Sequence, residues 1–235
     1  SKKSYRYEAS GLNPDTQYSF SVKAFNKEGK LIGFTNGMFS TLKTPSGEKV
    51  IFADANLKKA MKEYFGFKRD IVESDMEHLT ELDLTGAEIR DLSGLETAEN
   101  LKMLGLSGND LKNLKPIESL TGMTFLLLDG NRLQDFSSIK KWPNLQYLDL
   151  SDTGIKDLSI LASLKELGTL GLAYNELEDL SEMPALEQLS SLYIGGNDLS
   201  SLNGIERLKG LTELSLSENE SLTGIEELTA LKDLQ

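Results

Sequence analysis

The chain has 235 residues, 39% hydrophobic and 26% charged, a balance that supports a folded core and excludes an intrinsically disordered chain. It has no cysteine, which rules out a disulfide framework or a thiolate metal site, and no apolar run long enough to span a bilayer. The net charge of −12 is concentrated in residues 79–235, with twelve Lys/Arg against twenty-seven Asp/Glu, and that sign argues against nucleic acid and anionic lipid as main partners.

Residues 1–45 carry the opposite excess, seven Lys/Arg against three Asp/Glu. Tyr5 and Tyr7 alternate in a strand-like run. Tyr18, Phe20, Val22 and Ala24 alternate in a second strand, Lys27–Lys30 reads as a turn, and Phe39 falls in a third strand. The segment 43–48, KTPSGE, reads as a linker.

Residues 46–78 predict a helical cap. In the run 54–65, Leu57, Ala60, Met61, Tyr64 and Phe65 form one helical stripe, with Asp54 as N-cap and Gly66 as the stop. Ser74 and Glu77 have capping-box spacing just before the next element.

From Leu79 the sequence repeats every 22 residues, in units starting at Leu79, Leu101, Met123, Leu145, Leu167, Leu189 and Leu211. Apolar residues recur at positions 1, 4, 6, 11, 14, 17 and 20 of the unit. Positions 4 and 6 alternate with variable residues, which predicts a short strand with one buried face. The later positions are three apart, which suits 3₁₀ turns. Position 9 is Asn109, Asn131, Asn175, Asn197 and Asn219, an amide ladder able to satisfy backbone groups that water cannot reach. Ala87 and Thr153 interrupt the ladder, so those two turns are expected to be less well satisfied. Asp at position 13 and Ser at position 15 (Asp91/Ser93, Asp135/Ser137, Asp157/Ser159, Asp179/Ser181) are expected to accept from free N–H groups. The last unit is irregular and the sequence stops at Gln235 without a polar end unit, which predicts a continuation. The fold class is therefore an α/β repeat: residues 79–235 form a solenoid with a parallel concave sheet, behind a helical cap and a small all-β piece.

Residues 11–24 resemble the E–F corner of a fibronectin type III domain, with Leu12, Pro14, Thr16 and Tyr18 on its pattern. The resemblance implies that Tyr18 is a tyrosine-corner residue and that only about half of such a domain is present. Residues 50–235 resemble the internalin-type leucine-rich-repeat region of bacterial surface proteins, in VIFADANLKKAM, LTELDL and DLSGLE. That resemblance implies an extracellular or cell-wall-attached protein of a Gram-positive bacterium whose concave face binds a host or bacterial surface protein; apart from it, carbohydrate is kept as a second ligand class.

By the repeat rule, positions 3, 5 and 7 face the concave side and position 8 forms its rim. Met103, Phe125, Leu127 and Tyr147 then sit on adjacent exposed strand positions. Tyr193 and Tyr174 extend the patch, while Asp129, Asp149 and Asp152 border it. Met and aromatic side chains inside a polar rim are the composition of a protein-binding hot spot, although solenoid aromatics also pack on one another across strands. The three aspartates lack calcium-loop spacing and read as a solvated rim. His78 is the single histidine, and no nucleophile elbow, phosphate loop or zinc set is present, so neither catalysis nor a cofactor is expected. Three readings remain: an adhesin-like recognition module of a bacterial cell surface, a spacer or scaffold within a larger exported enzyme such as a polysaccharide hydrolase, or a cytosolic repeat scaffold.

Overall fold

A computed structural model describes residues 9–13, 16–27, 30–41 and 44–234. The chain divides into two units, Ser1–Gly47 and Glu48–Gln235.

In the first unit, β1 (Gln17–Phe25) and β2 (Leu31–Ser40) pair antiparallel. Tyr18, Phe20, Val22 and Ala24 share one face of β1, as their period of two requires. The Tyr18 and Phe39 rings stack with centroids 5.8 Å apart. The Tyr18 hydroxyl oxygen accepts the Asn13 N–H at 2.8 Å, tying the strand to the segment before it. At the reversal, Asn26 N–H donates to the Lys30 carbonyl at 2.9 Å and Lys30 N–H to Asn26 Oδ1 at 2.8 Å. The run containing Tyr5 and Tyr7, together with Pro14, lies outside the described residues. Phe20, Val22, Phe25, Met38 and Phe39 remain exposed, so the hairpin buries little apolar surface of its own.

The second unit begins with two helices. α1 (Ala55–Phe65) starts at Asp54, whose Oδ1 accepts the N–H groups of Asn56 at 2.7 Å and Leu57 at 3.0 Å. It stops at Gly66, left-handed at φ 66°, whose N–H returns to the Lys62 carbonyl. Leu57 and Met61 are fully buried in the core shared with the repeats, a contribution of about 1.5–3 kcal/mol each. Tyr64 departs from the expected stripe: it stays exposed and its hydroxyl reaches the Glu81 carbonyl at 3.3 Å.

The capping expected of Ser74 and Glu77 is corrected by the structure. α2 (Glu73–Met76) has Val72 at its N-cap position, so Ser74 lies inside the helix. The capping carboxylate is Asp75, which accepts the Val72 N–H at 2.9 Å. Arg69 holds the same carboxylate with two bonds, at 2.7 Å and 2.6 Å, while its guanidinium lies over the Phe67 ring. Burial opposes the Asp75 charge, but these donors outweigh burial and hold its pKa below the usual carboxylate value.

The repeats form a seven-stranded parallel sheet in chain order: β3 (Glu81–Asp83), β4 (Met103–Gly105), β5 (Phe125–Leu127), β6 (Tyr147–Asp149), β7 (Thr169–Gly171), β8 (Ser191–Tyr193) and β9 (Glu213–Ser215). Each residue pairs with the one 22 positions on, as in Leu104↔Leu126↔Leu148. Positions 4 and 6 point inward, with Leu104, Leu106, Leu126 and Leu128 fully buried. Six of the units return through 3₁₀ turns, such as Lys115–Ile117 and Leu158–Ser163.

The Asn ladder runs through this core. Asn131 Nδ2 donates to the Leu106 carbonyl at 2.9 Å and the Leu128 carbonyl at 2.8 Å, and its Oδ1 accepts the Leu111 N–H at 3.1 Å. Asn109, Asn175, Asn197 and Asn219 repeat the pattern. The two interruptions differ: the Thr153 turn keeps only part of a rung, and the first turn is served from outside the repeats. Thr153 donates its hydroxyl to the Leu150 carbonyl at 2.6 Å. At the first turn, beside Ala87, helix α1 takes over: Asn56 Nδ2 donates to the Glu88 carbonyl and Asp54 Oδ2 accepts the Arg90 N–H, both at 2.9 Å.

The Asp–Ser pairs also need correcting. Asp91, Asp135, Asp157 and Asp179 do accept the N–H two residues on. The serines Ser93 and Ser181, however, donate their hydroxyls to Asp91 and Asp179, at 2.6 Å each, rather than accepting. Hydroxyl and N–H together lower the pKa of Asp135, Asp157 and Asp179.

Candidate functional site

The inward leucines at position 4 leave positions 3 and 5 on the opposite side of each strand. In register, position 3 is the row Glu81, Met103, Phe125, Tyr147, Thr169, Ser191, Glu213, and position 5 is Asp83, Gly105, Leu127, Asp149, Gly171, Tyr193, Ser215. Met103 is exposed; Phe125, Leu127 and Tyr147 are half-buried and none is part of the interior. The Phe125 and Tyr147 rings stack with centroids 4.3 Å apart and planes at 20°. The structure thus brings Met103, Phe125, Leu127 and Tyr147 into one apolar strip across β4, β5 and β6.

The aspartates border this strip and do not converge. Asp129 accepts the Ser107 hydroxyl, and Asp149 Oδ1 accepts the Ser151 N–H at 2.9 Å. Among the described residues no group of three or more His, Cys, Asp or Glu is placed to hold a metal ion. Burial raises the pKa of the Tyr147 hydroxyl, and the charges of Asp149 and Asp129 raise it further. Glu218 does the same to Tyr174, by a hydrogen bond of 3.1 Å.

Position 8 carries a feature that the sequence reading missed. Its backbone is left-handed in all seven units, at Gly86, Gly108, Gly130, Asp152, Tyr174, Gly196 and Glu218, with φ between 51° and 66°. Glycine fills it four times because a Cβ is unfavourable there. Tyr174 and Asp152 occupy it at a cost of about 1–3 kcal/mol each, and both are exposed on the rim. The signal was present in the recurring Gly of the other units.

Charge is segregated as well. At positions 3, 5, 7 and 8 the seven units carry Glu81, Asp83, Asp129, Asp149, Asp152, Glu213 and Glu218 and no Lys, Arg or His. Among the described residues none of these seven is in an ion pair, whereas Asp110, Asp135 and Glu176, away from these positions, pair with Arg90, Lys115 and Lys156. The strand face is therefore apolar at its centre and uniformly acidic around it. His78 is exposed at the junction before β3.

Comparisons with known proteins agree with this architecture. A family model describing two copies of leucine-rich repeats matches residues 143–185. A crystal structure of an internalin C2 from Listeria monocytogenes is similar over 79% of this chain and 92% of that one, at 27% identity and a TM-score of 0.63. The functional domain of InlJ from Listeria monocytogenes, which includes a cysteine ladder, is similar over 83% of this chain and 52% of that one, at 21% identity and a TM-score of 0.56. No curated protein matches the sequence. No helix among the described residues is long and apolar enough to cross a membrane. The repeats are leucine-rich repeats, and the solenoid they build is internalin-like.

Proposed function

We propose that the chain is a non-catalytic, adhesin-like module that binds a protein on the concave strand face. The module belongs to an exported or cell-wall-attached protein of a Gram-positive bacterium. One observation carries this reading. The apolar strip of Met103, Phe125, Leu127 and Tyr147 lies at positions where the repeat requires no apolar residue, and it remains accessible. Its aromatic centre and acidic border have the composition of an interface core and rim. Tyr174, Tyr193, Asp129, Asp149 and Asp152 complete the contact surface. Residues 46–78 serve as the cap of the solenoid, because Leu57 and Met61 cover the apolar edge that the first repeat would expose. Residues 1–45 are read as part of a fibronectin type III sandwich, a reading supported by the Tyr18–Asn13 bond.

The test is capture of a partner by the intact chain and by a variant carrying Phe125→Ala and Tyr147→Ala. The variant should keep the wild-type circular dichroism spectrum, because neither ring lies in the interior. It should lose saturable capture, weakening by at least about a hundredfold for two adjoining hot-spot residues. Undiminished capture by a folded double variant would reject the concave strip as the contact surface.

A further inference from the structure

The position-5 row has a gap in its side chains, at Gly171, between strands that carry tyrosine. Asp149, Gly171 and Tyr193 are neighbours on β6, β7 and β8. Gly171 has an ordinary backbone, with no positive φ that would call for glycine. What it lacks is a side chain: a Cβ there would collide with the Asp149 carboxylate, which lies across the gap. Tyr147 stands diagonally on one side and Tyr193 directly on the other. Tyr147 and Tyr193 thus lie on the two strands that flank Thr169 and Gly171. The gap therefore has a carboxylate lying over it and a tyrosine on each flanking strand. Among the described residues Asp149 is in no ion pair, and positions 3, 5, 7 and 8 of the repeats carry no Lys or Arg.

We propose that this gap seats an arginine side chain of the protein partner. A guanidinium is planar and weakly hydrated, so it stacks on a phenol ring while donating in-plane hydrogen bonds to a carboxylate. Asp149 keeps Oδ1 on the Ser151 N–H and so presents its other oxygen at a fixed orientation. The unbalanced acidity of the whole face supplies the long-range attraction, and the gap supplies the register. The same arrangement is absent at the other position-5 glycine. Gly105 also lies beneath a carboxylate, Asp83, but its far neighbour is Leu127 and no phenol stands beside it. This proposal rests on the concave face being the contact surface, and it names the chemistry of the partner.

The probe is N-acetyl-arginine amide, titrated into the intact chain while the Gly171 amide and the Tyr147 and Tyr193 ring signals are followed by NMR. N-acetyl-citrulline amide, of nearly equal shape and no charge, is the control. Saturable shifts at those three residues are expected with arginine only. Asp149→Asn keeps a bond to Ser151 and removes the charge; Gly171→Ala keeps the charge but pushes the carboxylate out of its place. Each should weaken arginine binding about tenfold, the scale of one hydrogen bond to a charged group. Equal shifts with citrulline, shifts elsewhere on the face, or unchanged binding by both folded variants would each overturn the seat. Should the Phe125→Ala/Tyr147→Ala variant lose its partner while Asp149→Asn and Gly171→Ala retain it at full affinity, the contact surface stands and the arginine seat falls.

Discussion

Asn131→Ala should lower the stability of the solenoid by about 3–5 kcal/mol, because it strands several backbone groups in a place no water reaches. Asn131 is fully buried. Its amide serves the Leu106 and Leu128 carbonyls and the Leu111 N–H at once. Leu106 retains a second donor in Asn109, so its carbonyl loses only part of its satisfaction. The Leu111 N–H and the Leu128 carbonyl account for most of the cost. Asn131→Asp removes the donors and keeps the acceptor, so it should be at least as damaging once the cost of a buried charge is added. Urea unfolding followed by circular dichroism checks the size. The converse change, Thr153→Asn, restores a full rung and should be neutral or stabilising, since the Thr153 hydroxyl already covers the Leu150 carbonyl.

The second large effect is expected at Gly204. This residue sits at φ 104° just before the 3₁₀ turn Ile205–Arg207, and a Cβ there would overlap the Leu180 carbonyl oxygen of the preceding repeat. Both faults are backbone faults, and no rotamer change relieves them. Gly204→Ala should cost about 3–5 kcal/mol, combining strain with overpacking between adjacent repeats. Gly94 is its counterpart in the first unit, at φ 106°, but there a Cβ would meet the Phe52 ring at 2.6 Å and the Ile51 carbonyl oxygen at 2.9 Å, against 2.0 Å from the Leu180 oxygen at Gly204. The ring can shift, and the carbonyl contact at Gly94 is much less close than the one at Gly204. Gly94→Ala should therefore be milder than Gly204→Ala, and thermal unfolding of the two variants gives the order directly.

These two sites show how much the sequence reveals. The Asn ladder is legible because each rung repeats a residue type whose chemistry matches a buried turn. The inward leucines are legible for the same reason, since burial imposes one requirement seven times over. Gly204 is a single glycine in a loop, and nothing local separates it from a glycine that merely bends the chain. Position 8 lies between these cases. Four glycines mark its left-handed backbone, while Asp152, Tyr174 and Glu218 obscure the pattern. Capping at Ser74 was misread because a sequence motif competes poorly with tertiary contacts: Arg69 fixes Asp75, and Asp75 fixes the start of α2.

At the candidate site, the placement of Met103, Phe125, Leu127 and Tyr147 follows from the period alone. The lean of Asp149 across Gly171 does not. It depends on residues 22 positions apart and on the rotamer of one carboxylate, and neither is written in local pattern. The segregation of charge sits in the sequence throughout, but it becomes visible only once the repeat positions are assigned to faces.

The central claim is that the strand face, and not the face built by the 3₁₀ turns, meets the partner. Site-specific photo-crosslinking tests it most directly, with a benzophenone side chain placed at Met103 in one variant and at Lys140, exposed on the turn Ser137–Lys141, in another. The account predicts one saturable crosslinked species from position 103 and none from position 140. Crosslinking from position 140 with silence at 103 would contradict it.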